Sequence, residues 1–156
     1  MIELSIPGFG GLHLDTLFCD FNGTLARDGH LIEEARALLP RVANLVDIRV
    51  VTGNTFGSAA DALRDCPCTL TLLGAQDQAK AKLALVETIG AARIVAIGNG
   101  RNDRLMLKAA ALGIGVAGDE GIAAEAASAC DVVAPNIAEA LELLLEPRRL
   151  LATLRD

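Results

Sequence analysis

The first segment of interest in this 156-residue chain is residues 20–25, with the sequence DFNGTL, where an apolar run ends in Asp20 and a glycine turn follows. A carboxylate at the end of a buried strand can attack phosphorus or bind a metal ion. The backbone N–H groups of the turn around Asn22 and Gly23 can bind phosphate oxygens. A strand-end aspartate can also simply form an Asx turn. The segment therefore predicts a phosphoryl-transfer site or a plain turn.

The second segment is residues 50–54, VVTGN, where an apolar run ends in Thr52 and Gly53. A threonine hydroxyl followed by a backbone amide is a pair of donors for a phosphate oxygen. Threonine is also common at strand ends because its side chain is β-branched. On its own the segment is interpreted as an ordinary strand end, and a position beside Asp20 would favour phosphate binding.

The third feature is a pair of lysines, Lys80 and Lys82, near the start of a predicted helix. Residues two apart on a helix point about 200° apart, so only one of the two can face a given site. An ammonium group at the site would neutralise the charge of a phosphate and of the attacking carboxylate. The other lysine is expected to be solvated.

The fourth segment is residues 98–103, GNGRND, where a predicted strand meets a glycine turn and then a helix that opens with polar residues. Asn99 and Asp103, if they lie beside Asp20, supply the hard oxygen ligands that Mg²⁺ prefers. Asp103 can instead be a helix cap or an acidic residue of the first turn.

The elements that position these segments alternate strictly. Short buried strands are predicted at Leu17–Cys19, Ile48–Val51, Thr69–Leu73, Ile94–Ile97, Ile114–Val116 and Val132–Val133. Helical patterns lie between and after them at Ile32–Leu45, Phe56–Arg64, Gln78–Ile89, Asn102–Leu112, Glu120–Ala129 and Ile137–Leu145, with a last short helix at Pro147–Arg155. This alternation predicts an α/β fold with a parallel sheet that is covered on both faces. Ile2–Ile6 and Leu12–Leu14 predict a small preceding hairpin. Ligands of such sheets bind beyond the carboxyl ends of the strands, where all four segments fall.

Composition excludes several classes of protein. The formal charge of −6, from 14 basic and 20 acidic residues, argues against broad nucleic-acid binding. No uncharged run approaches the roughly 18 residues of a membrane-spanning helix, and no signal peptide is recognisable. Four cysteines are too few for a secreted disulfide framework, and two distant histidines argue against a histidine triad or a zinc site. We expect a cytoplasmic protein that binds neither nucleic acid nor membrane.

Taken together, the four motifs resemble the haloacid dehalogenase (HAD) superfamily of aspartate-nucleophile phosphotransferases. Within it the sequence is most similar to the phosphorylation domain of P-type ATPases, whose corresponding stretches read DKTGT, TGD and GDGxND. The resemblance implies one Rossmann-like HAD domain over residues 1–156 and an aspartyl phosphate formed on Asp20. It also implies Mg²⁺ bound by the Asp20 carboxylate, the Asn22 carbonyl and the fourth-motif residues. ATPase-like spacing favours Lys80 over Lys82 as the active-site lysine.

Two departures from the family pattern shape the expected activity. The short interval between Thr24 and Thr52 leaves no room for a cap domain. The open site then suits a phosphoprotein, or a phosphorylated small molecule that a second copy of the chain encloses in a homo-oligomer. HAD phosphatases usually have a second aspartate where this chain has Asn22, and an amide cannot act as the general acid and base. Hydrolysis is therefore expected to be slowed by about 10²–10⁴-fold.

Amides replace carboxylates at two further positions, Asn99 in the fourth motif and Asn54 in the second. An amide oxygen can coordinate Mg²⁺ but brings no charge, so metal binding is expected to be weakened, with Asp20 and Asp103 as the anionic ligands. Two alternatives stay open: a low-turnover phospho-accepting or regulatory binding module, and a cytosolic partner of a transport ATPase.

Overall fold

The computed structural model describes residues 1–53 and 57–156. The strands of this part of the chain are β1 (Ile2–Ile6), β2 (Gly10–Leu14), β3 (Thr16–Asp20), β4 (Ala26–Arg27), β5 (His30–Leu31), β6 (Asp47–Gly53), β7 (Thr69–Leu73), β8 (Ile94–Gly98), β9 (Leu112–Val116) and β10 (Val132–Ala134). The α-helices are α1 (Glu33–Ala43), α2 (Ser58–Ala62), α3 (Gln78–Ile89), α4 (Arg104–Ala109), α5 (Ala124–Ala129), α6 (Ile137–Leu145) and α7 (Arg148–Leu154), and short 3₁₀ turns lie at Ala91–Arg93 and Arg101–Asp103.

Six parallel strands form the central sheet in the order β10-β9-β8-β3-β6-β7, which confirms the predicted α/β architecture. From β3 the chain moves outward through β6 and β7, and then crosses back to β8 on the other side of β3. The strand order therefore reverses between β3 and β8. Ligands of open α/β sheets bind at the carboxyl ends of the strands at such a reversal.

The two faces of the sheet bury different side chains of β3. Leu17 and Cys19 pack in one core cluster with residues of α1 and α6, whereas Phe18 packs in the other with residues of α3, α4 and α5. Because side chains alternate along a strand, Asp20 lies on the same side as Phe18. The alternation thus turns the Asp20 carboxylate toward α3.

Two helices begin and end as predicted, two (α1 and α7) are shorter by one or two residues at each end, and two others differ more. The bounds of α3 and α6 are the predicted ones at both ends. The predicted helix Asn102–Leu112 is wrong at its end, because Leu112 pairs with Val95 in the sheet and begins β9. The predicted helix Glu120–Ala129 begins only at Ala124, because Gly121 has φ +74°, a conformation outside the α-helix. The predicted helix Phe56–Arg64 begins outside the described residues.

A second hairpin, β4–β5, follows the Asp20 segment and is not among the predicted elements. Asp28 and Gly29 both have positive φ, 51° and 80°, and join strands that pair Arg27 with His30. This is a two-residue turn of the kind that favours Asp-Gly, so the dipeptide was the signal that the sequence offered. Between Thr24 and Thr52 the structure holds this hairpin and α1 and no cap domain.

The small hairpin predicted before the first core strand is confirmed. β1 and β2 form the expected antiparallel hairpin, which begins its second strand at Gly10. The four cysteines are free, and Cys19 is the buried one. In the described part of the chain, no helix combines the length and apolar character that crossing a membrane requires.

Candidate functional site

A buried lysine lies between two carboxylates at the carboxyl end of the central strand. Lys82 Nζ donates to Asp20 Oδ1 at 2.7 Å and to Asp103 Oδ1 at 2.6 Å. The Lys82 side chain is 0% exposed and that of Asp20 is 9% exposed. Burial of such charges is tolerated only when they are paired. Burial lowers the pKa of Lys82, but the two carboxylates outweigh it and raise that pKa above its usual value.

The prediction that Lys80, rather than Lys82, is the active-site lysine is wrong. Lys80 is exposed, whereas Lys82 and Val86 are the buried residues of α3. These two positions are four apart and therefore share one face of the helix, opposite to Lys80. The apolar residue four positions after Lys82 was a sequence signal for the correct lysine.

Asp103 is fully buried and does not line the cleft above Asp20. Its Oδ2 accepts hydrogen bonds from the backbone N–H groups of Asn99 at 3.0 Å and Gly100 at 2.8 Å, and its Oδ1 accepts from Lys82. The sequence predicts Asp103 as a direct metal ligand, and this arrangement contradicts it. Both oxygens are used inside the protein, where they hold Lys82 and the turn after β8 in place.

Asp20 is a carboxyl group whose ionisation is disfavoured. Burial raises the pKa of Asp20, the negative charge of Asp103 raises it further, and Lys82 opposes them; the result is a pKa of about 7. Thr24 Oγ1 donates to Asp20 Oδ2 at 3.4 Å, which is a long hydrogen bond. Oδ2 is thus the more weakly held oxygen of this carboxyl group.

This raised pKa predicts a pH-dependent stability. The folded chain holds the Asp20 proton up to about pH 7, whereas the ordinary pKa of an aspartate, which applies in the unfolded chain, is 3.8. Without divalent metal, the free energy of unfolding is expected to fall as the pH rises from about 4 through 7, because the folded state then loses a proton it binds more tightly than the unfolded state. Urea unfolding in EDTA at pH 5 and pH 8 measures this. Asp20→Asn should remove that part of the pH dependence, and equal pH dependence of the two proteins would contradict the prediction.

Thr52 and Asn22 lie together on the β6 side of the site. Asn22 Nδ2 donates to Thr52 Oγ1 at 3.3 Å, and this hydrogen bond joins the first motif to the second. Thr52 is buried, and Asn22 is exposed to the cleft. Gly53 also lines the cleft, and Asn54 lies outside the described residues. The hydroxyl and amide groups are therefore placed beside Asp20 as predicted.

The backbone N–H group of Gly23 is not available to bind a phosphate. Its N–H donates to the Ala26 carbonyl at 2.9 Å and is used within the turn, which contradicts its prediction as a phosphate donor. Its φ is +75°, and a Cβ atom at this position would overlap Oε2 of Glu120 and Nδ2 of Asn99. Glycine is thus favoured here by its positive φ, and its lack of a Cβ atom leaves room for the two side chains.

An open cleft of about 260 Å³ lies above Asp20. Its lining includes five predicted residues and four that the sequence analysis missed: Asp20, Asn22, Thr52, Gly53 and Asn99, with Gln78, Gly100, Asn102 and Glu120. Gln78 Oε1 accepts from Asn102 Nδ2 at 2.8 Å and joins α3 to the fourth motif. A larger cavity of about 450 Å³ adjoins the cleft and shares Glu120 with it.

The donors of the cleft are hard oxygens, which suit a magnesium ion. Asp20 contributes a carboxylate and Asn99 an amide oxygen. Within residues 1–53 and 57–156, no group of three or more His, Cys, Asp or Glu side chains is arranged to hold a metal ion. A cation at this site would therefore depend on amide and carbonyl oxygens in addition to carboxylates.

Solved structures with this fold include HAD phosphatases. The 3-deoxy-D-manno-octulosonate 8-phosphate phosphatase of Moraxella catarrhalis, in complex with magnesium ion, phosphate ion and KDO, matches with a TM-score of 0.71 at 16% identity over 90% of each chain. A protein of Legionella pneumophila described as a HAD superfamily (subfamily III A) hydrolase matches with a TM-score of 0.70 at 15% identity, over 90% of this chain and 86% of that one. The chain has the fold of the HAD phosphatases. The narrower resemblance to P-type ATPase phosphorylation domains stays a prediction.

One sequence relative is close enough to define a family. An uncharacterized protein of Methanocaldococcus jannaschii is 53% identical to this chain over 64 residues, which are 41% of this chain and 69% of that protein. This chain belongs to the same family as the Methanocaldococcus protein. No model of a described protein family matches it.

Proposed function

We propose that this chain is a slow, Mg²⁺-dependent phosphatase that acts through an aspartyl phosphate on Asp20. The observation that carries the proposal is the geometry around this carboxylate. It ends the central strand at the point where the strand order reverses, faces an open cleft, and is held by a buried ammonium at 2.7 Å. The HAD phosphatases that share the fold support the reaction class.

In this mechanism Asp20 Oδ2 attacks the phosphorus of a phosphate monoester. A bond forms between Oδ2 and phosphorus, and the bond to the leaving oxygen breaks and gives its electron pair to that oxygen. Water then attacks phosphorus, and the Oδ2–phosphorus bond breaks and returns its electron pair to Asp20. This restores the carboxylate and releases inorganic phosphate, with the protons of the attacking water going to phosphate oxygens and solvent. Lys82 holds Oδ1 and offsets negative charge at the reacting group, and the Thr52 hydroxyl donates to a phosphoryl oxygen.

A divalent cation has a place in this scheme beside Asp20. Its ligands would be the Asp20 carboxylate, the Asn22 backbone carbonyl and the Asn99 amide oxygen. Asp103 would act indirectly, by holding Lys82 and the turn after β8 in place. When bound, Mg²⁺ would neutralise charge that develops on the transferring phosphoryl group. The magnesium and phosphate ions of the Moraxella phosphatase complex support this part of the proposal.

Asn22 makes the second half of the reaction slow. Its amide donates a hydrogen bond to Thr52 but neither gives up nor takes up a proton at neutral pH, so it cannot protonate a leaving group or activate water. General acid–base catalysis contributes typically about 10²–10⁴-fold, so the aspartyl phosphate is expected to persist. If water does not attack it at all, the chain is the phospho-accepting module that forms the second candidate.

The substrate class follows from the open site. We propose a phosphoprotein or a phosphorylated small molecule; a small substrate would be enclosed by a second copy of the chain. The adjoining cavity of about 450 Å³ gives room for the part of the substrate beyond the phosphate.

Pre-steady-state kinetics with nitrophenyl phosphate and Mg²⁺ test the proposal. We expect a burst of up to one nitrophenolate per chain, followed by slow turnover, because the activated leaving group needs no proton in the first step. Asn22→Asp should raise the slow phase by about 10²-fold or more, whereas Asn102→Asp, which adds the same charge elsewhere in the cleft, should not. A burst without turnover would identify the module, and the absence of both phases with Mg²⁺ would contradict phosphoryl transfer.

A further inference from the structure

The side chain of Asn99 ties the loop after β9 to the active site. Asn99 Nδ2 donates to the Gly121 carbonyl at 3.1 Å, and the Asn99 carbonyl accepts from the Ala123 N–H at 2.9 Å. Its Oδ1 accepts from Thr24 Oγ1 at 3.2 Å. An aspartate at position 99 would place a carboxylate oxygen against the Gly121 carbonyl and lose this link. Compared with an aspartate, the Asn99 amide brings no negative charge to the site, but its N–H group fixes the loop by a hydrogen bond.

The loop that Asn99 holds presents Glu120 to the cleft. Residues 118–121 form a turn closed by the Gly121 N–H and the Gly118 carbonyl at 2.8 Å. Glu120 Oε2 lies over Gly23 beside the Asn99 amide, since both would overlap a Cβ atom on Gly23. Among the described residues, no hydrogen bond or ion pair engages the Glu120 carboxylate. The neighbouring Asp119 differs, because it pairs with Arg27.

Glu120 lies on the side of the cleft where a cation would be bound. The Asn22 side chain is directed toward Thr52 on β6, whereas Glu120 adjoins Asn99 at the end of β8. Asp103, the carboxylate of the fourth motif, is occupied by Lys82 and two backbone N–H groups. Asp20 and Glu120 are thus the two carboxylates that line the cleft.

We propose that Glu120 is a ligand of the divalent cation and supplies the negative charge that Asn99 lacks. Glu120, on the loop after β9, takes the role of the carboxylate expected at position 99 after β8. The hydrogen bond from Asn99 to Gly121 positions the loop that carries it. Gly23 makes the approach possible because any side chain at that position would occupy the same space. This inference rests on the metal requirement of the proposed function.

Metal affinity of the free protein tests the inference without an activity assay. Titration of Mg²⁺ by calorimetry, or of Mn²⁺ by electron paramagnetic resonance, should give a Kd about 10-fold higher for Glu120→Gln than for the original chain. Asp119→Asn removes the same charge from the adjacent residue and should leave the Kd unchanged. An unchanged Kd for Glu120→Gln would overturn the inference. If that variant instead lost the slow kinetic phase and its pH dependence, Glu120 would be an acid–base group, which also overturns it.

A double variant tests whether the carboxylate has moved from position 99 to position 120. Asn99→Asp combined with Glu120→Gln should bind the ion more tightly than Glu120→Gln alone, because a carboxylate returns to the β8 turn. Equal affinity would contradict the exchange. Asp20→Asn separates failure of this inference from failure of the proposed function. If the original chain binds no ion, the metal requirement itself is wrong; if Asp20→Asn abolishes binding and Glu120→Gln does not weaken it, only the role of Glu120 is wrong.

Discussion

Asp20→Asn is expected to lose phosphatase activity by at least about 10³-fold while the chain still folds. The amide has no carboxylate oxygen to attack phosphorus, so both the burst and the slow phase with nitrophenyl phosphate should disappear. Asp15→Asn is the matched control, since Asp15 immediately precedes the opposite end of the same strand, where it pairs with Arg93 at 2.6 Å. That variant should keep the activity of the original chain.

Folding of the Asp20→Asn variant is expected from the charges around it. Lys82 retains Asp103 as its partner at 2.6 Å, and one of two buried carboxylates that repel each other is removed. The free energy of unfolding at pH 8 should therefore equal or exceed that of the original chain. A variant that folds and still hydrolyses the substrate at a comparable rate would show that Asp20 is not the nucleophile.

The middle of the sheet could be predicted because three of its strands are buried on both faces. β3, β8 and β9 are buried at every position, so each is a short apolar run bounded by turn residues. The start of α6 was also visible, since Asn136 caps the helix by accepting a hydrogen bond from the Glu139 N–H at 2.9 Å. Strand ends then gave the positions of Asp20, Thr52 and Asn99 without any knowledge of their contacts.

The site was less predictable where tertiary contacts decide which atoms remain available. Residue types alone cannot show that Asp103 uses both oxygens on Lys82 and the backbone, nor that the Gly23 N–H is held by Ala26. Glu120 was missed because the sequence pattern predicts a helix from this residue, whereas the structure has an irregular loop there and begins α5 only at Ala124. Its position depends on the link between Asn99 and Gly121, which joins residues 22 apart in the sequence.

Lys82→Met is expected to reduce the free energy of unfolding at pH 8 by about 3–5 kcal/mol. Methionine preserves much of the lysine's length but leaves Asp20 and Asp103 buried without a counter-ion. Lys80→Met makes the same change on the exposed face of α3 and should alter stability by no more than about 0.5 kcal/mol. Urea unfolding of the two variants in EDTA measures the difference, and equal stability at pH 8 would contradict a structural role for the buried ammonium.

The pH dependence of this loss tests its electrostatic origin. Lys82→Met removes the positive charge that opposes burial and the Asp103 charge, which raise the pKa of Asp20 above its unfolded value, so the variant gains stability as the pH falls and Asp20 takes up a proton. The deficit relative to Lys80→Met should therefore shrink between pH 8 and pH 5. Adding Asp20→Asn to Lys82→Met should recover part of the loss at pH 8, because one of the two unpaired charges is removed. A deficit that is the same at both pH values and in the double variant would assign the effect to packing around Val86 rather than to charge.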